Sequence, residues 1–155
     1  MKVVCDASAI FSGFVGEKNF TTSRVLSEIR DFKSRDFVES LIFSKKLFIF
    51  DPQPNFEKVV REALKRTGDD LSSADISVIA LALEMKATVV SNDYGIQNVC
   101  TFLGIKYENT FGFQISGVKE WTYVCEGCGK TFSARKKTCE FCGNRIRKRL
   151  KASSP

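Results

Sequence analysis

Over its first 108 residues the chain switches repeatedly between short apolar runs and helical periodicities, and this alternation constrains the fold more than any other feature. KVVC (2–5) reads as a strand. Residues 22–32 read as a helix with Val25, Leu26 and Ile29 on one face, and residues 35–43 as a second helix by the spacing of Phe37, Leu41 and Ile42. LFIF (47–50) is a strand closed by Asp51-Pro52-Gln53-Pro54. Phe56, Val59, Val60, Ala63 and Leu64 then fall at i, i+3, i+4, i+7 and i+8, with Gly68 as the stop signal. A helix over 72–86 is apolar almost all round from Ile76 to Leu83, which predicts burial on several sides. A strand at 87–91, a helix at 94–103 and a strand at 105–109 complete the series. Strands that alternate with helices imply a parallel sheet with helices on both faces, an α/β fold whose ligands bind beyond the carboxyl ends of the strands.

After this body the text changes. TFGFQISGVK (110–119) carries two glycines and no helical period, and reads as a linker between a domain at 1–109 and a smaller one at 120–155. The smaller part places Cys125 and Cys128, then Cys139 and Cys142, as C-x2-C, ten residues, C-x2-C. Each pair is closed by a glycine, Gly129 or Gly143, making a knuckle that aims two sulfurs at one point. Two knuckles complete a tetrahedral thiolate shell for one structural Zn²⁺. Two disulfides are the competing outcome, disfavoured by a cytosolic glutathione pool. With Trp121, Tyr123, Phe132 and Phe141 as its main apolar residues, the module has little core and is expected to need zinc to fold. Cys5 and Cys100 lack paired spacing and read as buried small apolar residues.

Charge follows the same division. From Lys119 onward ten Lys and Arg face three Asp and Glu, formally +7, whereas the body carries −1. Four thiolates with one Zn²⁺ would still leave the end near +5, by the same formal count. The basic residues lie between the knuckles (Arg135, Lys136, Lys137) and after them (Arg145, Arg147, Lys148, Arg149), flanking one rigid unit, so RNA or DNA contact is expected there. The alternative is a solvated loop and tail. No run approaches a membrane span, and Met1-Lys2 leads straight into strand-like text, so a cytoplasmic chain with no membrane partner and no small-molecule ligand is expected.

Histidine is absent, which removes imidazole catalysis and mixed Cys/His metal sites. Carboxylates stand out instead. Asp6 and Asp93 each follow an apolar strand, Asp75 lies in the first turn of the buried helix, and Glu28 lies on a helix opposite its apolar face. Singly, Asp6 and Asp93 read as helix caps, Asp75 as part of a capping box with Ser72, and Glu28 as a surface acid. Two parallel strands would nevertheless bring two of these acids to one edge.

Taken together, VVCDASA, VLSEIRD, LSSADISVIALALE and VVSNDYGIQNV resemble the PIN-domain nucleases over roughly residues 1–109. With SEIRD (27–31), LKRTGDDLSSADISVIALA (64–82), NDYGIQNV (92–99) and the four-cysteine module, the chain is similar to the ribosome-assembly branch of that family, which cuts the small-subunit rRNA precursor at its mature 3′ end. The resemblance implies a metal-dependent endoribonuclease acting on RNA within the pre-ribosomal small subunit. It places Asp6, Glu28, Asp75 and Asp93 on one or two Mg²⁺ or Mn²⁺ ions, with Ser8 and Ser91 orienting them. Many relatives have an acid where this chain has Asn92, and Glu39 is a rival to Glu28. A toxin-type PIN ribonuclease and a non-catalytic RNA-binding assembly factor are the alternatives.

Overall fold

A computed structural model describes residues 2–13, 17–109 and 118–151. Its larger part is a five-stranded, wholly parallel sheet in the order β3-β2-β1-β4-β5, formed by β1 (Lys2–Cys5), β2 (Lys18–Thr21), β3 (Leu47–Ile49), β4 (Thr88–Val90) and β5 (Tyr107–Glu108). Val3, Val4, Val89 and Val90 are fully buried, as expected of central strands covered on both faces. The chain adds β2 and β3 on one side of β1, then crosses back to lay β4 and β5 on the other. The reversal lies between β1 and β4, where Cys5 pairs with Val90. Asp6 and Ser91 follow directly, at the crevice where such sheets bind ligands.

Among the described residues six helices connect the strands, and several of them begin on a capping side chain. α1 (Ala7–Phe11) is capped by Asp6, and α2 (Ser23–Glu28) by Thr22. α3 (Phe32–Phe43) starts from Asp31, whose carboxylate accepts from the Ser34 amide at 3.0 Å. The helix expected over 22–32 thus ends at Glu28, because buried Ile29 takes an extended backbone and Asp31 starts a new helix before Arg35. α4 (Pro54–Thr67) opens with proline and closes on Gly68 in the left-handed region. α5 (Ser73–Met85) begins with a capping box between Ser72 and Asp75. α6 (Tyr94–Leu103) is capped by Asp93 and closed by Gly104.

α5 is buried along Ile76–Ala82, which explains its apolar circumference. Truncating Ile79 or Leu81 there to alanine would cost about 2–5 kcal/mol. α1 follows the reading of Asp6 as a helix cap, whereas β2 went unanticipated because KNFT alternates too little to signal a strand. No helix of the described residues is long and apolar enough to cross a membrane.

The smaller part is a three-stranded antiparallel sheet, β7-β6-β8, from β6 (Trp121–Cys125), β7 (Thr131–Phe132) and β8 (Ile146–Leu150). Most of the expected linker lies outside the described residues; Val118–Glu120 is irregular and leads into β6.

Candidate active site and metal centre

Asp6 and Asp93 each cap a helix and Asp75 completes a capping box with Ser72, so for these three the capping and site readings coexist in one set of side chains. Asp6 is 8% exposed, and its Oδ1 accepts from the Ala9 amide at 2.9 Å and from Ser8 Oγ at 2.8 Å. Ser91 Oγ donates to Asp6 Oδ2 at 2.5 Å and accepts from the Asp93 amide at 3.0 Å, so one buried hydroxyl joins the ends of β1 and β4. Asp93 Oδ1 accepts from the Gly95 and Ile96 amides at 2.7 and 3.2 Å. Asp75 Oδ2 accepts from the Ser72 amide at 3.1 Å. A carboxylate offers about four lone-pair positions, so three bonds on Asp6, two on Asp93 and one on Asp75 still leave each a position for a cation.

Two buried polar contacts and one partly exposed ion pair hold these elements in place. Gln97 Nε2 donates to the Ser91 carbonyl at 3.0 Å, fixing the end of β4. The Thr22 and Ser77 hydroxyls lie 2.7 Å apart and tie α2, which ends in Glu28, to α5, which carries Asp75. Arg24 pairs with Glu57 at 2.6 Å and braces α2 against α4.

Electrostatics links three of the acids. Burial pushes the Asp75 carboxyl above the usual carboxylate range; hydrogen bonds from Ser72 oppose this, and the negative charges of Asp93 and Glu28 add to it. The structure therefore brings Asp75, Asp93 and Glu28 into one field, with Asp6 joined to Asp93 through Ser91. Glu39 is exposed on α3, beside Leu26, Ile29, Arg35, Val38 and Ile42. Crowded carboxylates repel one another, and a hard divalent cation relieves the repulsion. The acids are more widely spaced than a closed cage: among the described residues the four cysteines are the one set of three or more such ligands within 4.8 Å of one another.

The cysteines form a closed site. Cys125 and Cys142 Sγ lie 3.3 Å apart, Cys128 and Cys139 Sγ 3.7 Å, and all six cysteines are free thiols, so the disulfide alternative is not realised. In each knuckle the glycine amide donates back to the first cysteine carbonyl, Gly129 to Cys125 at 3.1 Å and Gly143 to Cys139 at 2.9 Å. Both glycines have φ near +75°, which side-chain-bearing residues rarely adopt. The Gly127 amide and Asn144 Nδ2 donate to Cys125 and Cys142 sulfurs at 3.3 Å each. The Asn144 amide and side chain pull Cys142 down to about 6, while on Cys128 the Lys130 backbone is outweighed by burial and the other three sulfurs, which push it up to about 11, so the protons crowd onto part of the cluster until a metal displaces them. Four thiolates at this spacing could hold zinc.

Strand alternation sorts the basic residues. On β8, Arg147 and Arg149 pair with Val124 and Thr122, whereas Lys148 pairs with Tyr123 and lies 4.4 Å over the Trp121 ring. The Tyr123 face meets the parallel-sheet part: Tyr123 Oη donates to the Gly68 carbonyl at 2.8 Å. Arg135 also turns that way, pairing with Asp70 at 3.0 Å. Lys136 pairs with Glu140 and lies 4.9 Å over Phe132. Lys137, Arg145, Arg147 and Arg149 are exposed.

Two residues near the site escaped the sequence reading. Asp69 is half-buried after α4 and accepts from Asn98 Nδ2 at 2.7 Å. Burial raises its pKa, the Asn98 and Thr67 hydrogen bonds and the Lys148 charge oppose the rise, and Asp93 adds to it. Asn98 is buried on α6 and also bonds Lys119. An acid just past a glycine helix stop was the one local hint.

A family profile described as "PIN domain of ribonuclease" matches residues 3–85. Endoribonuclease Nob1 of Pyrococcus abyssi is 39% identical over 151 residues, covering 95% of this chain and 92% of the relative. A Schizosaccharomyces pombe protein named 20S-pre-rRNA D-site endonuclease nob1 is 31% identical over 97 residues, 61% of this chain and 24% of its own length. The structure of VapBC2 from Rickettsia felis bound to a promoter DNA fragment superposes with a TM-score of 0.52 at 18% identity, covering 70% of this chain and 98% of that one, a likeness of fold. Matched along nearly its whole length, the chain belongs to the PIN-domain ribonucleases and, among them, to the Nob1 endoribonucleases.

Proposed function

We propose that this endoribonuclease cuts the small-subunit rRNA precursor at its mature 3′ end within the pre-ribosomal small subunit, in the cytoplasm. The observation that supports the reading is the Ser91 hydroxyl at the β1/β4 switch point, which bonds the Asp6 carboxylate and the Asp93 backbone, with Asp75 in the field of Asp93. The name of the fission-yeast relative supports the substrate.

Asp6, Asp75 and Asp93 would hold one or two Mg²⁺ or Mn²⁺ ions, with Glu28 as the fourth acid because its charge reaches Asp75. A bound divalent ion supplies an activated water and offsets charge at the scissile phosphate. Ser91 and Ser8 keep the Asp6 carboxylate in one orientation, and Ser91 also fixes the Asp93 backbone. The Gly95 and Ile96 amides hold Asp93 Oδ1, so no reorganisation is needed as RNA arrives. The chain divides into a nuclease domain at 1–109, a linker at 110–119 and a zinc ribbon at 120–155. In the ribbon one structural Zn²⁺ on Cys125, Cys128, Cys139 and Cys142 orders the strands. Arg147 and Arg149, on the face of β8 away from the nuclease domain, meet RNA phosphates with Lys137 and Arg145, while Arg135, Lys136 and Lys148 have protein partners that RNA would share.

Incubating the protein with a short RNA spanning the small-subunit 3′ end, with and without Mn²⁺, tests the reading. A discrete Mn²⁺-dependent cut, absent from Asp93→Asn although that variant still binds RNA, is the expected result. Equal cutting by Asp93→Asn in metal-stripped buffer would refute it.

A further inference from the structure

Between the acid edge and the ribbon lies a polar joint that the nuclease chemistry does not use. Asn98 is 3% exposed and employs its whole amide there. Nδ2 donates to Asp69 Oδ2 at 2.7 Å and to the Lys119 carbonyl at 2.6 Å, and Oδ1 accepts from the Lys119 amide at 2.6 Å. This pattern admits one orientation, because a flipped amide would set its oxygen against a carboxylate and a carbonyl.

Asp69 lies beside the active edge. A methyl group built on Gly95 would stand 3.0 Å from Asp93 Oδ1 and 3.7 Å from Asp69 Oδ1, so both carboxylates border the same glycine. The ribbon grips the rest of this loop. Tyr123 Oη donates to the Gly68 carbonyl, the Trp121 carbonyl fills the space a Gly68 side chain would need, and Arg135 pairs with Asp70. Gly68, Asp69 and Asp70 are thus held in succession, the outer two by the ribbon and the middle one by Asn98, which is itself bonded to the chain leading into the ribbon.

We propose that Asn98 is a positioning residue of the nuclease: by tying Asp69 to Lys119, it sets the Asp69 carboxylate beside Asp93, so that ribbon docking and the geometry of the acid edge change together. The inference rests on the metal-ion reading of that edge. A carboxylate held by a neutral donor keeps its negative potential where a hydrated cation approaches. Released, Asp69 would move away from its like-charged neighbour Asp93 and alter both the field and the loop carrying Asp93.

The test uses the full-length, zinc-loaded protein. Asn98→Asp keeps side-chain volume and the acceptor for the Lys119 amide, but turns a carboxylate toward Asp69. Tyr123→Phe removes one hydrogen bond between ribbon and loop, and decides the question if Asn98→Asp does not fold. For Asn98→Asp the expected result is a loss in kcat of about tenfold or more, with KM little changed, since displacing a reacting group by a fraction of an ångström slows chemistry more than it weakens binding. Amide exchange at Gly95 and Ile96 should accelerate, and Tyr123→Phe should move both readouts the same way by less. A residue that only braced the fold would lower the urea midpoint and leave kcat of the folded enzyme unchanged. That outcome, or unchanged exchange at Gly95 and Ile96 in the folded variants, overturns the proposal. Exchange is read without RNA or divalent ion, so a wild-type protein that failed to cleave would count against the metal-ion reading, while the exchange data would still decide the coupling.

Discussion

Replacing Gly68 by alanine, with Gly104→Ala as its control, measures how firmly the ribbon is docked. Both glycines close helices at φ +73°, so both substitutions incur the left-handed penalty of about 1–2 kcal/mol, partly offset by a less flexible unfolded chain. At Gly104 a methyl group would meet nothing within 4 Å, and about 1 kcal/mol is the whole expected cost. At Gly68 it would lie 2.1 Å from the Trp121 carbonyl oxygen and 2.9 Å from its carbon, both backbone atoms. No side-chain rotation relieves that overlap, so the ribbon must shift. The shift breaks the Tyr123 bond to the Gly68 carbonyl, and leaving a buried polar group unpaired costs about 1–3 kcal/mol more. Urea unfolding should therefore place Gly68→Ala about 2–4 kcal/mol below wild type. Fluorescence of Trp121, the only tryptophan in the chain, should change in native buffer for Gly68→Ala alone. Equal destabilisation by the two substitutions, with unchanged fluorescence, would refute a ribbon seated on the α4–α5 loop.

Three further outcomes follow from the same geometry. Asp75→Asn should abolish metal-dependent cleavage yet stabilise the fold in the absence of divalent ions. Because the folded-state pKa of Asp75 is raised, its ionised form opposes folding; wild-type stability should rise as pH falls through that pKa, and a pH series of urea melts should show this component missing from the variant. Chelating zinc should unfold the ribbon, seen in Trp121 fluorescence, while far-ultraviolet circular dichroism of the parallel domain persists. Arg147→Ala and Arg149→Ala should each reduce the salt dependence of RNA affinity by roughly one phosphate contact in a filter-binding series. Arg135→Ala should leave that slope nearer to wild type, because its guanidinium is paired with Asp70.

The parts of the fold legible in the sequence are those whose burial is complete. Val3-Val4 and Val89-Val90 form unbroken apolar strands, and α5 is apolar all round, because neighbours cover them on every side. β2 was not legible: its Asn19 is buried but polar, so KNFT carries no strand pattern. The helix break at Ile29 escaped because an apolar residue continued the helical spacing while its backbone turned extended. In the site, strands ending in Asp6 and Asp93 sufficed to forecast convergence at one edge, and the cysteine spacing to forecast a closed thiolate cluster. Asp69 and Asn98 remained hidden because their roles depend on the ribbon lying against the α4–α5 loop, a contact between distant segments with no local signature.

The central claim, that the carboxylates at the β1/β4 switch point bind a divalent ion, is tested most directly by anomalous diffraction from crystals soaked in Mn²⁺. The account predicts a manganese peak at the carboxyl ends of β1 and β4, within coordination distance of Asp6 or Asp93 and lost in Asp93→Asn. Manganese bound only at acids away from that edge, with the crevice holding none, would contradict it.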